Sequence, residues 1–254
     1  HWGGLIINGK APIAKTGGTN FVEGLSGHTY GGNDADDNSG VLQYVRVWHG
    51  GRVIGADNEI NGITLAGVGR KTTIDHISVA HNKDDGIEWF GGTADAKYVS
   101  VYGVGDDSLD CDEGFQGRIQ YASIVLTTDS DKGVEWDSKT NSDFNSKPRT
   151  HVTISSLTVF GKKGSSDMMR LREGVGADIR NTILAHGAIG FANKDNGVAS
   201  VTRTQTVGSI PSTGKDYVYI SKNTLTTDVT TPFANDVSAF TGETAAASTV
   251  FVND

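Results

Sequence analysis

One cysteine, Cys111, and four prolines are all that this 254-residue chain holds of the two residues that most constrain a backbone. A lone cysteine excludes an intrachain disulfide framework, so the fold must be held by its own core. Scarce proline leaves nearly every backbone N–H available to hydrogen-bonded ladders. No apolar run approaches the eighteen residues of a membrane-spanning helix, and none has the form of a secretory-signal core. Basic residues are also short: 22 Lys and Arg stand against 30 Asp and Glu, giving a net charge of −8 and a pI near 5.3. That balance lacks the basic stripe that a nucleic-acid backbone requires, and it suits metal cations and cationic or neutral partners.

What is abundant is glycine, 34 residues with no collagen period, which points to many tight turns between short strands. One phrase returns with changed lettering: Asp84-Asp85-Gly86-Ile87-Glu88-Trp89-Phe90, then Asp106-Asp107-Ser108-Leu109-Asp110-Cys111-Asp112, then Asp131-Lys132-Gly133-Val134-Glu135-Trp136-Asp137. Apolar alternation extends the frame to Ile63/Leu65, Met169/Leu171 and Ile189/Phe191, each pair reading as a strand with one buried face. A second strand precedes each, starting at Tyr44, His76, Tyr98, Tyr121 and Ser156, which stand 32, 22, 23 and 35 residues apart. Inexact repetition on this scale marks a solenoid, and two or three short strands per repeat without helical periodicity predict a parallel β-helix. A propeller or sandwich would place hairpin signals between paired strands. Asn61-Gly62 and Asp85-Gly86 instead fall at corners of the frame.

The expected architecture is therefore all-β, a right-handed parallel β-helix of about seven coils with inserted loops. It occupies residues 1–195, and residues 196–254 form an irregular Ser/Thr-rich continuation or cap of the same domain. Residues 8–40 and 139–150 read as loops. Because His1 stands next to an apparent strand, the chain is expected to be a piece of a longer precursor.

The strings Trp2-Gly3-Gly4-Leu5-Ile6-Ile7-Asn8-Gly9, Asn58-Glu59-Ile60-Asn61-Gly62-Ile63-Thr64-Leu65, Asp84 to Gly92 and Leu171-Arg172-Glu173-Gly174 resemble a family of bacterial secreted or surface-exposed repeat proteins. These are uncharacterised lipoprotein-like or cell-surface proteins. The resemblance covers most of residues 1–195 and implies a right-handed β-helix of the pectate-lyase-like superfamily, with an extracellular or outer-surface location. No catalytic set travels with it.

If Ile87, Trp89 and their equivalents point inward, the residues between them form outward columns: Thr64, Glu88, Asp110, Glu135, Arg170 beside Ala66, Phe90, Asp112, Asp137, Arg172. With coils about 4.8 Å apart, five carboxylates share one patch. Stacked carboxylates raise each other's pKa unless a cation relieves them. Glu88, Asp110, Asp112, Glu135 and Asp137 are thus candidate catalytic residues, since a raised carboxyl beside an ionised one is a glycosidase arrangement. A lyase would use the acids to hold Ca²⁺ on a uronate, with Arg170 or Arg172 as base. The plainer reading is a solvated surface that alternates charges for solubility. Gly105-Asp106-Asp107 and Gly117-Arg118-Ile119 resemble two polygalacturonase motifs, but the histidine-glycine element between them is missing.

The corner pairs Asp84/Asp85 and Asp106/Asp107 are candidate metal ligands, with Ca²⁺ as the cation, but their repetition at the same corner favours a role as caps for backbone N–H groups. His76 shares the column of Tyr44, Tyr98 and Tyr121, which assigns it a packing role. Phe90, Trp48 and Tyr102 are outward rings able to stack on sugars and join Arg170 and Arg172 as candidate ligand contacts. The chain therefore reads as an extracellular structural, adhesive or carbohydrate- and cation-binding β-helix, with polysaccharide or copies of itself as partners. A polysaccharide lyase or hydrolase is the alternative. Self-association has its basis in the unpaired strand edges at the ends of any solenoid.

Overall fold

The computed structural model describes residues 2–22, 24–55, 58–138, 146–162, 167–185, 189–194, 217–221 and 224–226. They form a right-handed parallel β-helix with no closed barrel. One wall, here the short sheet, stacks Leu5–Asn8, Ile63–Ala66, Ile87–Phe90, Leu109–Asp112, Val134–Trp136, Asp167–Arg172 and Ile189–Lys194 in that order. The facing long sheet stacks Val41–Trp48, Thr73–Ala80, Ala96–Tyr102, Arg118–Val125, His151–Phe160 and Gly176–Arg180 with Ile183–Ala185. Tyr217–Ser221 and Thr224–Thr226 add a further level to the long sheet; the remainder of 196–254 lies outside the described residues.

Register follows the repeat. Ile63, Ile87, Leu109, Val134 and Met169 pair in succession, so one inward position is apolar at every level. The lumen between the sheets is filled by Trp89, Trp136, Leu65, Cys111 and Leu171 from one side and by Val47, Val79, Val101, Ile124 and Val159 from the other. Phe115 enters from a turn and packs 5.5 Å from the Trp89 ring. Cys111 is one of these lumen residues, and burial pushes its thiol up out of the reactive range.

Each long strand is two straight segments. Tyr44, His76, Tyr98, Tyr121 and Ser156 adopt φ of 55, 53, 53, 60 and 59°, and pairing skips each of them. That left-handed residue bends the strand, so inward side chains resume immediately after it at Val45, Ile77, Val99, Ala122 and Leu157. The 8–40 segment is more structured than a loop. Gly9 to Ala14 runs along the helix axis, bonded to the turns at Gly67, Gly92 and Glu113, and Asn20–Phe21 pairs with Thr29–Tyr30.

The glycine of the recurring phrase has a packing reason. A Cβ on Gly86 would stand 2.5 Å from the Ser108 carbonyl oxygen of the next coil and 2.7 Å from Val101 Cγ1. Gly86→Ala is expected to destabilise the protein by about 1–3 kcal/mol through overpacking. The sign is a lower urea midpoint at unchanged m-value, and an unchanged midpoint would mean that the corner has spare room.

Candidate functional site

Three columns of the short sheet carry its chemistry. The corner column reads Asn61, Asp85, Asp107, Lys132, Asp167; the next reads Thr64, Glu88, Asp110, Glu135, Arg170; the third carries Phe90, Asp112, Asp137 and Arg172. Eight carboxylates and three bases occupy these places, and all three bases lie in the coils of Val134–Trp136 and Asp167–Arg172. The charge is therefore balanced at one end and unbalanced at the other.

At the balanced end Lys132 is decisive. The corner aspartates cap the next coil rather than their own turn: Asp107 N–H donates to Asp85 Oδ1 at 2.9 Å, and Lys132 N–H donates to Asp107 Oδ1 at 2.9 Å. Lys132 then takes the place of the next aspartate. Its Nζ lies 3.3 Å from Asp107, 2.5 Å from Asp131 and 3.4 Å from Glu135, with the side chain only 3% exposed. Burial alone would lower the ammonium's pKa, but these carboxylates outweigh it and keep the group charged. Arg170 bonds Asp167 at 2.8 Å and reaches Glu135 at 3.5 Å, while Arg172 lies 3.4 Å from both Glu135 and Asp137. Both guanidinium groups are held above their ordinary value by these acids in spite of desolvation.

At the unbalanced end, one oxygen from each of Asp85, Glu88 and Asp110 falls within 4.8 Å of the others. Among the described residues none of the three makes an ion pair. Burial is the first cause that pushes each of them well above the usual carboxylate range. Their neighbours' charges add to it, Asp110 and Asp107 on Asp85, Asp85 and Asp110 on Glu88, Asp107 and Asp137 on Asp110. Relief is slight: Asn61 donates its Nδ2 to Glu88 Oε2, and Arg172 acts on Asp110 through space. Asn61 is 5% exposed, and its Oδ1 has no hydrogen-bond partner; nor has the buried Oδ1 of Asp110. Buried acceptors without donors are costly, and either a proton donor or a cation would satisfy them.

The far end of the patch is closed by the 8–40 segment. Lys15 Nζ pairs with Glu113 Oε1 at 2.6 Å, and the Tyr30 hydroxyl donates to Glu113 Oε2 at 2.7 Å. Tyr30, Ile13 and Val22 cover Phe90. Beneath them burial, Glu113 and Asp137 raise Asp112, and Asp137, raised mainly by burial and partly offset by Arg172, is pushed up to about 7.

The structure brings Glu88, Asp110, Asp112, Glu135 and Asp137 together as the columns required, but it corrects the expectation of an open, solvated face. Glu135 is buried, and the other four are at most half-exposed. Phe90 is 7% exposed and offers no ring to a sugar, because an apolar cluster from the 8–40 segment covers it. Trp48 and Tyr102 are exposed but stand on the long sheet, so neither lines the carboxylates. Arg170 and Arg172 are engaged by acids of this chain rather than presented to a ligand. Of the corner pairs, Asp84, Asp85 and Asp106 converge within 4.8 Å; so do Asp106, Asp107 and Asp131, but there the Lys132 ammonium already stands against Asp107 and Asp131. Lys15, Tyr30, Asn61, Glu113 and Lys132 were not singled out by the sequence. Lys132 was visible in the frame of the repeat, whereas Lys15 and Tyr30 belong to a segment without period.

Carboxyls raised on folding bind protons more tightly in the native state than in the unfolded chain. Their stabilising effect is complete below the unfolded value near 3.8 and is lost as pH rises through the folded one, about 7 for Asp137. In cation-free buffer the melting temperature is expected to fall between pH 4 and pH 8, by several degrees. A flat or rising profile over that window would contradict the crowding of the acids.

The model of the pectate-lyase-like β-helix domain matches residues 1–251. No curated protein and no solved structure matches the chain. With the parallel coils and stacked sheets described above, a match over this length means that the chain belongs to the family of pectate-lyase-like β-helix domains.

Proposed function

We propose that this protein is an extracellular β-helix module whose short sheet holds a hard divalent cation, calcium in first place, and through it an acidic polysaccharide, in a structural or adhesive role. The observation that carries this reading is the convergence of Asp85, Glu88 and Asp110 without an ion pair, beside the unpartnered oxygens of Asn61 and Asp110. Calcium takes six to eight oxygen ligands, so three carboxylates and an amide oxygen leave positions for water or for a uronate carboxylate. Lys132 supports the same logic, since one coil further on a protein cation fills the corner position and the acids there are paired. The extracellular location rests on the resemblance carried by the Trp2-Gly3-Gly4 and Leu171 to Gly174 strings.

A hydrolytic reading has one observation in its favour, Asp137 at about 7 beside Glu135, a value suited to acid–base work. A lyase with an arginine base is disfavoured, because Arg170 and Arg172 are ion-paired and held more basic than usual.

Calorimetric titration of the cation-free protein with calcium is expected to give a dissociation constant of about 10⁻⁴–10⁻³ M, the range of extracellular modules. Asp110→Asn and Glu88→Gln should each weaken it at least tenfold, and retention on polygalacturonate should require calcium. Absence of binding heat together with a melting temperature indifferent to millimolar calcium would overturn the assignment. New reducing or unsaturated ends after incubation with polygalacturonate would transfer it to the enzymatic reading.

A further inference from the structure

The long sheet carries a second surface that the carboxylate site does not use. Beyond the bend of each long strand, the outward positions read Arg46, Ser78, Ser100, Ser123, Thr158, Ile183 in one row and Trp48, Ala80, Tyr102, Val125, Phe160, Ala185 in the next. A single charge, Arg46, stands among these twelve positions of a chain that is 20% charged, and its guanidinium lies 5.8 Å from the Trp48 ring. At the bend itself Tyr44, His76, Tyr98 and Tyr121 stack with centroids 4.5, 4.5 and 4.9 Å apart. Six of the eleven large apolar side chains exposed among the described residues lie on this one face, namely Tyr44, Trp48, Tyr98, Tyr102, Tyr121 and Phe160.

Stacking works against the backbone strain of these positions, since a left-handed φ costs a bulky residue about 1–2 kcal/mol and a ring pair returns about 0.5–1.5 kcal/mol. Asn181 holds φ of 49° in the same column and donates to Ser156 Oγ at 3.1 Å, the conformationally easier solution. Small side chains between two lines of rings make this face a shallow trough by side-chain size. Exposed Ser100 and Ser123 lie on its floor, the tyrosine ladder forms one wall, and Tyr102 and Phe160 form the other.

The geometry points to this trough as a binding surface for a neutral polysaccharide chain lying along the helix axis. Hydroxyls of the serine row and of the tyrosines supply hydrogen bonds, the ring surfaces meet the apolar faces of the sugars, and with Arg46 and the His76–Asp75 pair confined to one end the row from Ser100 to Thr158 offers an acidic chain no ladder of cations. Size favours a slender ligand over a globular one. Five spacings of about 4.8 Å between six coils, by four residue steps of about 3.3 Å, give a strip of about 24 by 13 Å. That is about 300 Å², well short of the roughly 800 Å² per partner that a stable dimer buries and within the range of a single functional patch.

Native electrophoresis in gels containing xyloglucan, galactomannan or mixed-linkage β-glucan tests this, with polygalacturonate as the acidic control and a chelator present so that the short-sheet cation site plays no part. At least one neutral glycan is expected to retard the protein. Ser123→Arg and Tyr102→Ala should each raise the apparent dissociation constant tenfold or more, with melting temperatures unchanged. No retardation by any neutral glycan, or retardation that both variants leave intact, would overturn the proposal. A dimer that Ser123→Arg dissociates would overturn it too, by assigning the face to a second copy of the chain.

Discussion

Everything in this molecule follows from stacking like positions about 4.8 Å apart along one axis. In a parallel β-helix a residue's nearest neighbours are its own equivalents one coil away, so every column magnifies whatever chemistry it carries. Apolar columns become a continuous core, as from Ile63 to Met169 and from Val47 to Val159. Ring columns become ladders, as from Tyr44 to Tyr121. Acidic columns become a concentration of like charge that burial makes worse, and this last case sets the protein's functional problem.

The chain solves that problem in two ways on the same sheet. Between the Val134–Trp136 and Asp167–Arg172 coils it inserts its own bases, so that Lys132, Arg170 and Arg172 stand among Asp107, Glu135, Asp137 and Asp167. Among the described residues no base is paired with Asp85, Glu88 or Asp110 around Ile87–Phe90 and Leu109–Asp112, and these three either retain protons or receive a cation from solution. Membership of the family of pectate-lyase-like β-helix domains accounts for the scaffold on which this patch stands. The long sheet, with Arg46 as the single charge in the two rows beyond its bend, offers a different chemistry on the opposite wall. The two faces therefore carry separate chemistries without sharing a residue.

The fold was legible in the sequence because its determinant is periodic: inward Ile87, Leu109 and Val134, and the bend positions Tyr44, His76, Tyr98 and Tyr121, recur coil by coil. The column of Glu88, Asp110 and Glu135 was legible for the same reason. Its environment was not, because what encloses it comes from the segment around Ile13, Val22 and Tyr30, whose path along the axis is set by backbone bonds to Gly67, Gly92 and Glu113. Phe90 shows the consequence most plainly. Alternation directs it outward, and only the tertiary arrangement reveals that outward there means into a second apolar cluster. The pairing of Trp48 and Tyr102 with the carboxylates failed for a related reason, since period-two alternation tells which side of a strand a ring occupies but not which wall of the solenoid.

Anomalous diffraction from crystals grown with a lanthanide or calcium tests the central claim most directly, because it reads the compensating charge itself. An anomalous peak is predicted at about 2.3–2.6 Å from carboxylate oxygens of Asp85, Glu88 and Asp110, with the Asn61 amide turned to present its oxygen. Absence of a peak there at millimolar metal, with short carboxyl–carboxyl hydrogen bonds among the three residues at neutral pH, would contradict the account: the acids would then be neutralised by shared protons alone.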